Sequence, residues 1–390
     1  MFVILFSIAD SLIIFFIGLI FSAFVPKLLN VRQKTGMFLY LWHTVWCLVC
    51  AWFIMKDGGD ALKYYADSLG EGYVSFRPGS PSVINFTRFF TSNFGVSFYG
   101  MFLVNNIIGY VGVLAFFASL NAVTIGKGRF VGLMAFGVVM LPSVSFWSSA
   151  IGKDSISFLA TGLALWAAID LKRRIGLMPI AVILMLIVRP HIAAILVLGL
   201  SVAFVLHAKV SLAQRVALGV LSLFFAAIIT PFSLEYAGVG ETVDIESLTD
   251  YVEGRQGLNL RGGGSVDISS MSLPMQMITY VFRPFIFEAR SSFQLISAAE
   301  NILILLIFIL GIRSYLHGSQ SPVNDTRVFM WAFSILAWVA LSMTTANLGI
   351  ASRQKWMFVP FLVYLMISVI DYRTGKFFAR QEVQKSNVNP

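Results

Sequence analysis

The stretch Leu141-Pro142-Ser143-Val144-Ser145-Phe146-Trp147-Ser148-Ser149-Ala150-Ile151-Gly152-Lys153-Asp154 sets an adjacent cation and carboxylate between two long apolar runs. A Lys or Asp at the centre of a bilayer costs roughly 2.5–3.5 kcal/mol, so such groups face a protein interior or a wet cavity and are candidates for function. The alternative is an interfacial pair that only ends two helices. Other lone cations stand in similar company: Arg189-Pro190-His191 interrupts an apolar run, Arg283 lies between Phe282 and Pro284, and Arg353 precedes the last apolar run. Guanidinium forks give phosphate oxygens two donors and Lys adds a point charge, so Lys153, Arg189, Arg283 and Arg353 suit a phosphate or diphosphate. Asp154 is assigned to substrate binding beside them, and His191 either joins the anion site or packs locally.

The acid of the set is Asp60, in Asp57-Gly58-Gly59-Asp60-Ala61-Leu62-Lys63-Tyr64-Tyr65. Two glycines let the backbone turn tightly. A carboxylate opening the next helix gains from the helix dipole and can take the proton of a sugar hydroxyl as a general base. The competing reading is a plain N-cap. Tyr64 and Tyr65 either stack against a sugar or belong to the aromatic belt of a membrane interface.

These residues need elements to hold them. The chain is 58% hydrophobic and only 12% charged, against about 25% charged in soluble domains, so it reads as an all-α, polytopic bundle of transmembrane helices. The net charge of +9 falls in short loops beside apolar runs, which is a topology signal and not a nucleic-acid patch. Cys47 and Cys50 lie inside an apolar run and read as helix filling. Residues 1 to 24 lack a basic leader region and run on as a span, so no cleavable signal is expected.

Spans are expected at roughly 3–25, 37–55 and 96–120, with further ones reaching Pro142, descending from Asp154 and flanking Arg189. Others end near Pro231, cover roughly 293–312, and sit on either side of Asn347 to Lys355, for about eleven crossings. Basic loops at Lys27 to Lys34, Lys127 to Arg129, Lys172 to Arg174, Lys209 to Arg215 and Arg313 to Arg327 stay cytoplasmic. That leaves the N-terminus outside and the C-terminus inside. One transmembrane domain covers roughly 1–372, with outer loops at roughly 56–95 and 232–292 and a cytoplasmic tail at roughly 373–390. Residues 274 to 292 mix aromatics with Arg283, Glu288 and Arg290 and are expected to lie along the interface. The Gly262-Gly263-Gly264 run reads as a hinge. His43 reads as a satisfied interior residue, and Asp10 and Glu300 are expected to pair inside the bundle. This topology brings Asp60, Lys153, Asp154, Arg189, Arg283 and Arg353 to the outer side, where the positive-inside rule does not explain cations.

The order of these features resembles multi-spanning glycosyltransferases of the GT-C kind and the Wzy- and EpsG-like polymerases of bacterial surface polysaccharide. The resemblance is carried by Gly58-Gly59-Asp60 with Tyr64-Tyr65, Pro142 with Phe146-Trp147 and Lys153-Asp154, Arg189-Pro190, Arg283-Pro284-Phe285, and Asn347-Leu348-Gly349 with Arg353-Gln354. It covers most of the chain as an architecture. It implies that Asp60 activates the acceptor while Lys153, Arg189, Arg283 and Arg353 hold a polyprenyl phosphate or diphosphate. The chain departs from the GT-C pattern in having neither an Asp-Asp nor an Asp-Glu pair in its first outer loop, nor a large soluble C-terminal domain.

The expected activity is therefore an inverting sugar transfer or polymerisation at the outer face of a bacterial inner membrane, in the synthesis of O-antigen, capsule or exopolysaccharide. The expected partners are a polyprenyl-linked saccharide donor, a glycan acceptor, membrane lipids and polysaccharide assembly proteins, with no nucleic acid. No cofactor and no metal is assigned, since the acidic loop lacks the spacing of a calcium loop. The rival readings are a transporter or flippase of the same lipid-linked saccharides, and a scaffold of the assembly complex.

Overall fold

The computed structural model describes residues 2–70, 72, 74–206, 253–254, 256–257, 264–319 and 326–370. The expected crossing near Pro231, the acidic run from Glu235 to Asp250 of the long outer loop with Gly262 and Gly263, and the tail all lie outside the described residues. The described residues are helical and contain no strand, only an isolated bridge between Ser265 and Asn347. The first helices are α1 (Phe2–Leu28), α2 (Gln33–Asp57), α3 (Asp60–Leu69), α4 (Ser80–Phe94), α5 (Phe98–Thr124) and α6 (Arg129–Val139). Next come α7 (Pro142–Ser148), α8 (Lys153–Ile169), α9 (Leu171–Arg174), α10 (Leu177–Val188) and α11 (Pro190–Leu206). The last are α12 (Leu273–Phe282), α13 (Ser292–Leu316), α14 (Arg327–Thr344), α15 (Leu348–Gln354) and α16 (Val359–Val369).

Among the described residues, six helices are long and apolar enough to cross a membrane: Ser7–Leu28, Gln33–Asp57, Phe98–Thr124, Arg129–Ser148, Ser292–Leu316 and Arg327–Thr344. The expectation of about eleven crossings draws on every apolar run, with two short spans flanking Arg189 and one near Pro231 that lies outside the described residues. Several of those runs are instead short helices, because prolines and glycines break them: α10 is 12 residues long and α16 is 11. Twelve residues rise only about 18 Å, well short of a hydrocarbon core of about 30 Å. The face of α1 that carries Ile13, Phe16, Ile17, Ile20 and Phe24 is exposed, which suits lipid and not water.

Small residues let the central helices approach. A Cβ on Gly162 of α8 would collide with the Gly112 carbonyl of α5, so these helices touch backbone to backbone. A Cβ on Gly109 would collide with the Ser148 carbonyl, so α7 packs against α5 in the same way. Several polar side chains between these helices pair with one another. His43 on α2 bonds Asn106 on α5 and Ser148 on α7, as an interior histidine should. Asp10 and Glu300 do not pair with each other. Asp10 accepts from the Ser97 amide and hydroxyl at the start of α5, and Glu300 accepts from the Ser143 amide at the start of α7. Helix N-termini carry unpaired donors and positive dipole ends, so each acid found a cap in place of a cation.

The two ends of the bundle differ. At one, Lys127 Nζ donates to the carbonyls of Ile367, Ser368 and Ile370 at 2.6–2.8 Å, and Arg174 lies 3.4 Å from the centre of the Trp166 ring. The other end gathers α3, α4, the turn before α8, the α10–α11 junction and α15, and there the candidate residues meet.

Candidate functional site

Asp60 is placed by two left-handed glycines. Gly58 at φ 83° and Gly59 at φ 151° turn the chain from α2 into α3 within two residues, a conformation that costs a side-chain-bearing residue about 1–2 kcal/mol. Asp60 is then the first residue of α3. The N-cap is Gly59, and no side chain caps this helix, so the plain N-cap reading of Asp60 does not hold. Ala61, Tyr64 and Ser68 form the buried stripe of α3 and dock it on the bundle.

Lys153 and Asp154 open α8, so the carboxylate sits in the first turn where the dipole favours it. Arg189 stands alone between two helices, because α10 ends at Val188 and Pro190 starts α11. Proline fits the first helical turn and disfavours helix at the residue before it, which explains the break. Arg353 comes from α15, a seven-residue helix capped by the Asn347 side chain, which accepts from the amides of Gly349 and Ile350.

These four segments deliver a ladder of alternating charges. Arg189 Nη2 donates to Asp154 Oδ1 at 2.7 Å. Arg353 Nε stands 3.2 Å from Asp154 Oδ2, an ion pair off the hydrogen-bond axis. Arg353 Nη1 stands 3.6 Å from Asp60 Oδ2. Exposure separates the two acids: the side chain of Asp154 is 14% exposed and that of Asp60 is 65% exposed. Asp154 is committed to two guanidinium groups, while Asp60 offers oxygens to solvent. Asp154 beside it, outweighing burial and helped by Asp60, raises the pKa of Arg353 and fixes its positive charge.

The ladder forms part of the wall of a cavity of about 670 Å³, within the size range of small-molecule sites. Asp60, Tyr64, Lys153, Asp154, Arg189, His191 and Arg353 all line it. Burial first of all raises the pKa of Tyr64, so its hydroxyl stays protonated and can donate. Two other candidates lie elsewhere. Tyr65 is not a lining residue: its hydroxyl donates to the Val96 carbonyl at 3.2 Å and its ring packs edge-on against Phe98. Arg283 is not one either, since Nη2 and Nε pair with both oxygens of Glu288 at 2.8 and 3.0 Å. Burial works against the Glu288 carboxylate, but Arg283 and the Phe285 amide still hold its pKa below the ordinary value.

Some lining residues were not singled out as site residues from sequence. Trp147 lines the cavity, its ring centroid 5.8 Å from the Arg353 guanidinium, and its indole N–H is buried without an acceptor. Gln354, next to Arg353, lines it too. Ala194, Ile195 and Leu198 of α11 face Ala340 and Leu341 of α14 to form an apolar wall continuous with the charged one. Only the pairing of two distant helices creates that wall, and neither run announces it. Among the described residues no cluster of three or more His, Cys, Asp or Glu side chains could hold a metal ion. Compared with known proteins, the chain matches no family model, no curated protein and no solved structure.

Proposed function

We propose that this cavity binds a lipid-linked saccharide through its phosphate or diphosphate and transfers the sugar to a hydroxyl of a second glycan. The observation that carries this reading is the composition of one cavity wall. Three cations and two carboxylates at its polar side adjoin an apolar surface. That is the chemistry of an anionic headgroup on a hydrocarbon chain. The lining has more cations than carboxylates, and the buried Arg189 Nε and Trp147 Nε1 lack acceptors, so the site has donors to offer an anion rich in oxygen.

In this reading Lys153, Arg189 and Arg353 hold the phosphate, and Asp60 faces the acceptor. The acceptor hydroxyl gives its proton to Asp60, its oxygen forms the new bond to the anomeric carbon, and the bond from that carbon to the phosphate oxygen breaks. The lipid phosphate leaves as an anion, and fixed cations stabilise charge as it develops, commonly the largest electrostatic contribution to catalysis. Asp154 holds the two arginines in place in the absence of ligand. Arg283, committed to Glu288, is left out of the clamp. The basic loops, all assigned to the cytoplasm by the positive-inside rule, support an outward-facing cavity.

A transporter of the same lipids is the second reading, favoured by the helix break at Arg189-Pro190, since broken helices mark substrate sites in transporters. Reconstituted protein given a labelled lipid-linked saccharide separates the two. Transfer predicts a longer glycan and a released lipid phosphate. Movement between leaflets without a new glycosidic bond would overturn the proposal.

A further inference from the structure

Beside the cavity the bundle buries a lysine and a glutamate that the reading above does not use. Lys355, in the 3₁₀ turn Lys355–Met357 after α15, is 1% exposed, and Glu300 on α13 is 4% exposed. Taking such ions out of water costs several kcal/mol each, and apolar residues of similar shape would be as stable or more so. Their bonds show what the charges do. Lys355 Nζ donates to Asn301 Oδ1 at 2.6 Å and to the Val281 carbonyl at 3.4 Å. Asn301 Nδ2 donates to the Pro284 carbonyl at 3.2 Å. Glu300 Oε1 accepts from the Ser143 amide at 2.7 Å, and Trp356 Nε1 donates to Ser143 Oγ at 3.1 Å.

These bonds close a belt through the end of α12, the middle of α13, the start of α7 and the turn after α15. Two of those segments carry the site. Arg353 sits two residues before Lys355, on a helix of only seven residues, too short to hold its own place in isolation. Trp147 lies on α7, and the Arg353 guanidinium stands 5.8 Å from the centre of its ring. Glu300 and Lys355 make no direct ion pair; they join the belt through Ser143 and through Asn301, the neighbour of Glu300 on α13.

We propose that Lys355 and Glu300 are positioning residues that fix Arg353 and Trp147 at the anion subsite. This rests on the phosphate-binding reading of the cavity. The test is calorimetric titration of the full-length purified protein with inorganic diphosphate. Removing one member of the pair leaves an uncompensated buried charge and can prevent folding. The informative protein is therefore the double variant Glu300→Gln with Lys355→Met, which removes both charges and keeps the volumes. It should keep the wild-type melting temperature and lose about tenfold in diphosphate affinity. In an Arg353→Ala background the same pair should cost clearly less than tenfold, because only Trp147 remains to be placed. Trp356→Phe, which deletes only the bond to Ser143, should weaken binding in the same direction. A double variant with wild-type affinity overturns the proposal, and so does an equal loss with and without Arg353, the mark of a merely structural role. A wild-type protein that binds no diphosphate overturns the phosphate reading itself and this inference with it.

Discussion

Three arginines look equivalent in the chain, and the structure separates them. Arg189 is the best-placed anion ligand: it is bonded to Asp154 at 2.7 Å, their side chains are 7% and 14% exposed, and it lines the cavity. Arg189→Ala deletes one charge-assisted contact to a bound phosphate, worth about 1.5–3 kcal/mol. That corresponds to a loss of roughly 10- to 150-fold in affinity for inorganic diphosphate. Arg189→Lys keeps the charge without the fork and should recover only part of it. Arg283→Ala is the contrast. Its partner is Glu288, with both side chains 24% exposed and neither lining the cavity, so the substitution should cost about 1 kcal/mol of stability. Its effect on diphosphate affinity should be less than about threefold, within the scatter for sites that share no partner. The assay is calorimetric titration in nanodiscs, with melting temperature as the control for folding. Equal losses in affinity from Arg189→Ala and Arg283→Ala would refute the separation of the two, and so would unchanged binding in Arg189→Ala.

Further outcomes follow from other residues. Asp60→Asn should abolish glycan extension while leaving diphosphate affinity at or above the wild-type value, because it removes the proton acceptor and one negative charge from the cavity; loss of binding in step with activity would deny it the role of base. Gly162→Leu, which drives a side chain into the Gly112 carbonyl, should destabilise the bundle by about 1–3 kcal/mol or prevent its assembly, read as thermal unfolding in detergent. The depressed pKa of Glu288 gives an acid-limb prediction. Its stabilisation is present above the ordinary value of 4.5 and is lost as the pH falls through the lower folded value. Glu288→Gln should flatten stability against pH in that acid range and nowhere else.

The sequence was informative where a residue violated its surroundings. Lys153, Asp154, Arg189 and Arg353 are charges in apolar company, and the cost of such placement points to a shared cavity, which all four line. Asp60 was legible through its two preceding glycines. Arg283 looked the same as Arg189 because the two-residue motif Arg-Pro is identical in both, and only the fold shows Glu288 closing back on it. Tyr64 and Tyr65 are neighbours in sequence but point to different places, since adjacent helical positions lie about 100° apart and only one can face the cavity. Six long apolar helices stand among the described residues, and the runs around Arg189 and after Phe358 form shorter ones, because hydropathy measures composition and not continuity. The apolar wall is invisible in the sequence because it is made of ordinary alanine, isoleucine and leucine brought together across nearly 150 residues of chain, from Ala194 to Leu341.

The most direct test of the central claim is a cryo-electron microscopy structure of the protein in nanodiscs with a polyprenyl diphosphate. Phosphate density is expected in contact with Arg189, Arg353 and Lys153, with the isoprenoid lying along Ala194 to Leu198 and Ala340 to Leu341 and the Asp60 carboxylate beside it. A headgroup bound at Arg283, or at the end of the bundle that carries Lys127 and Arg174, would contradict it.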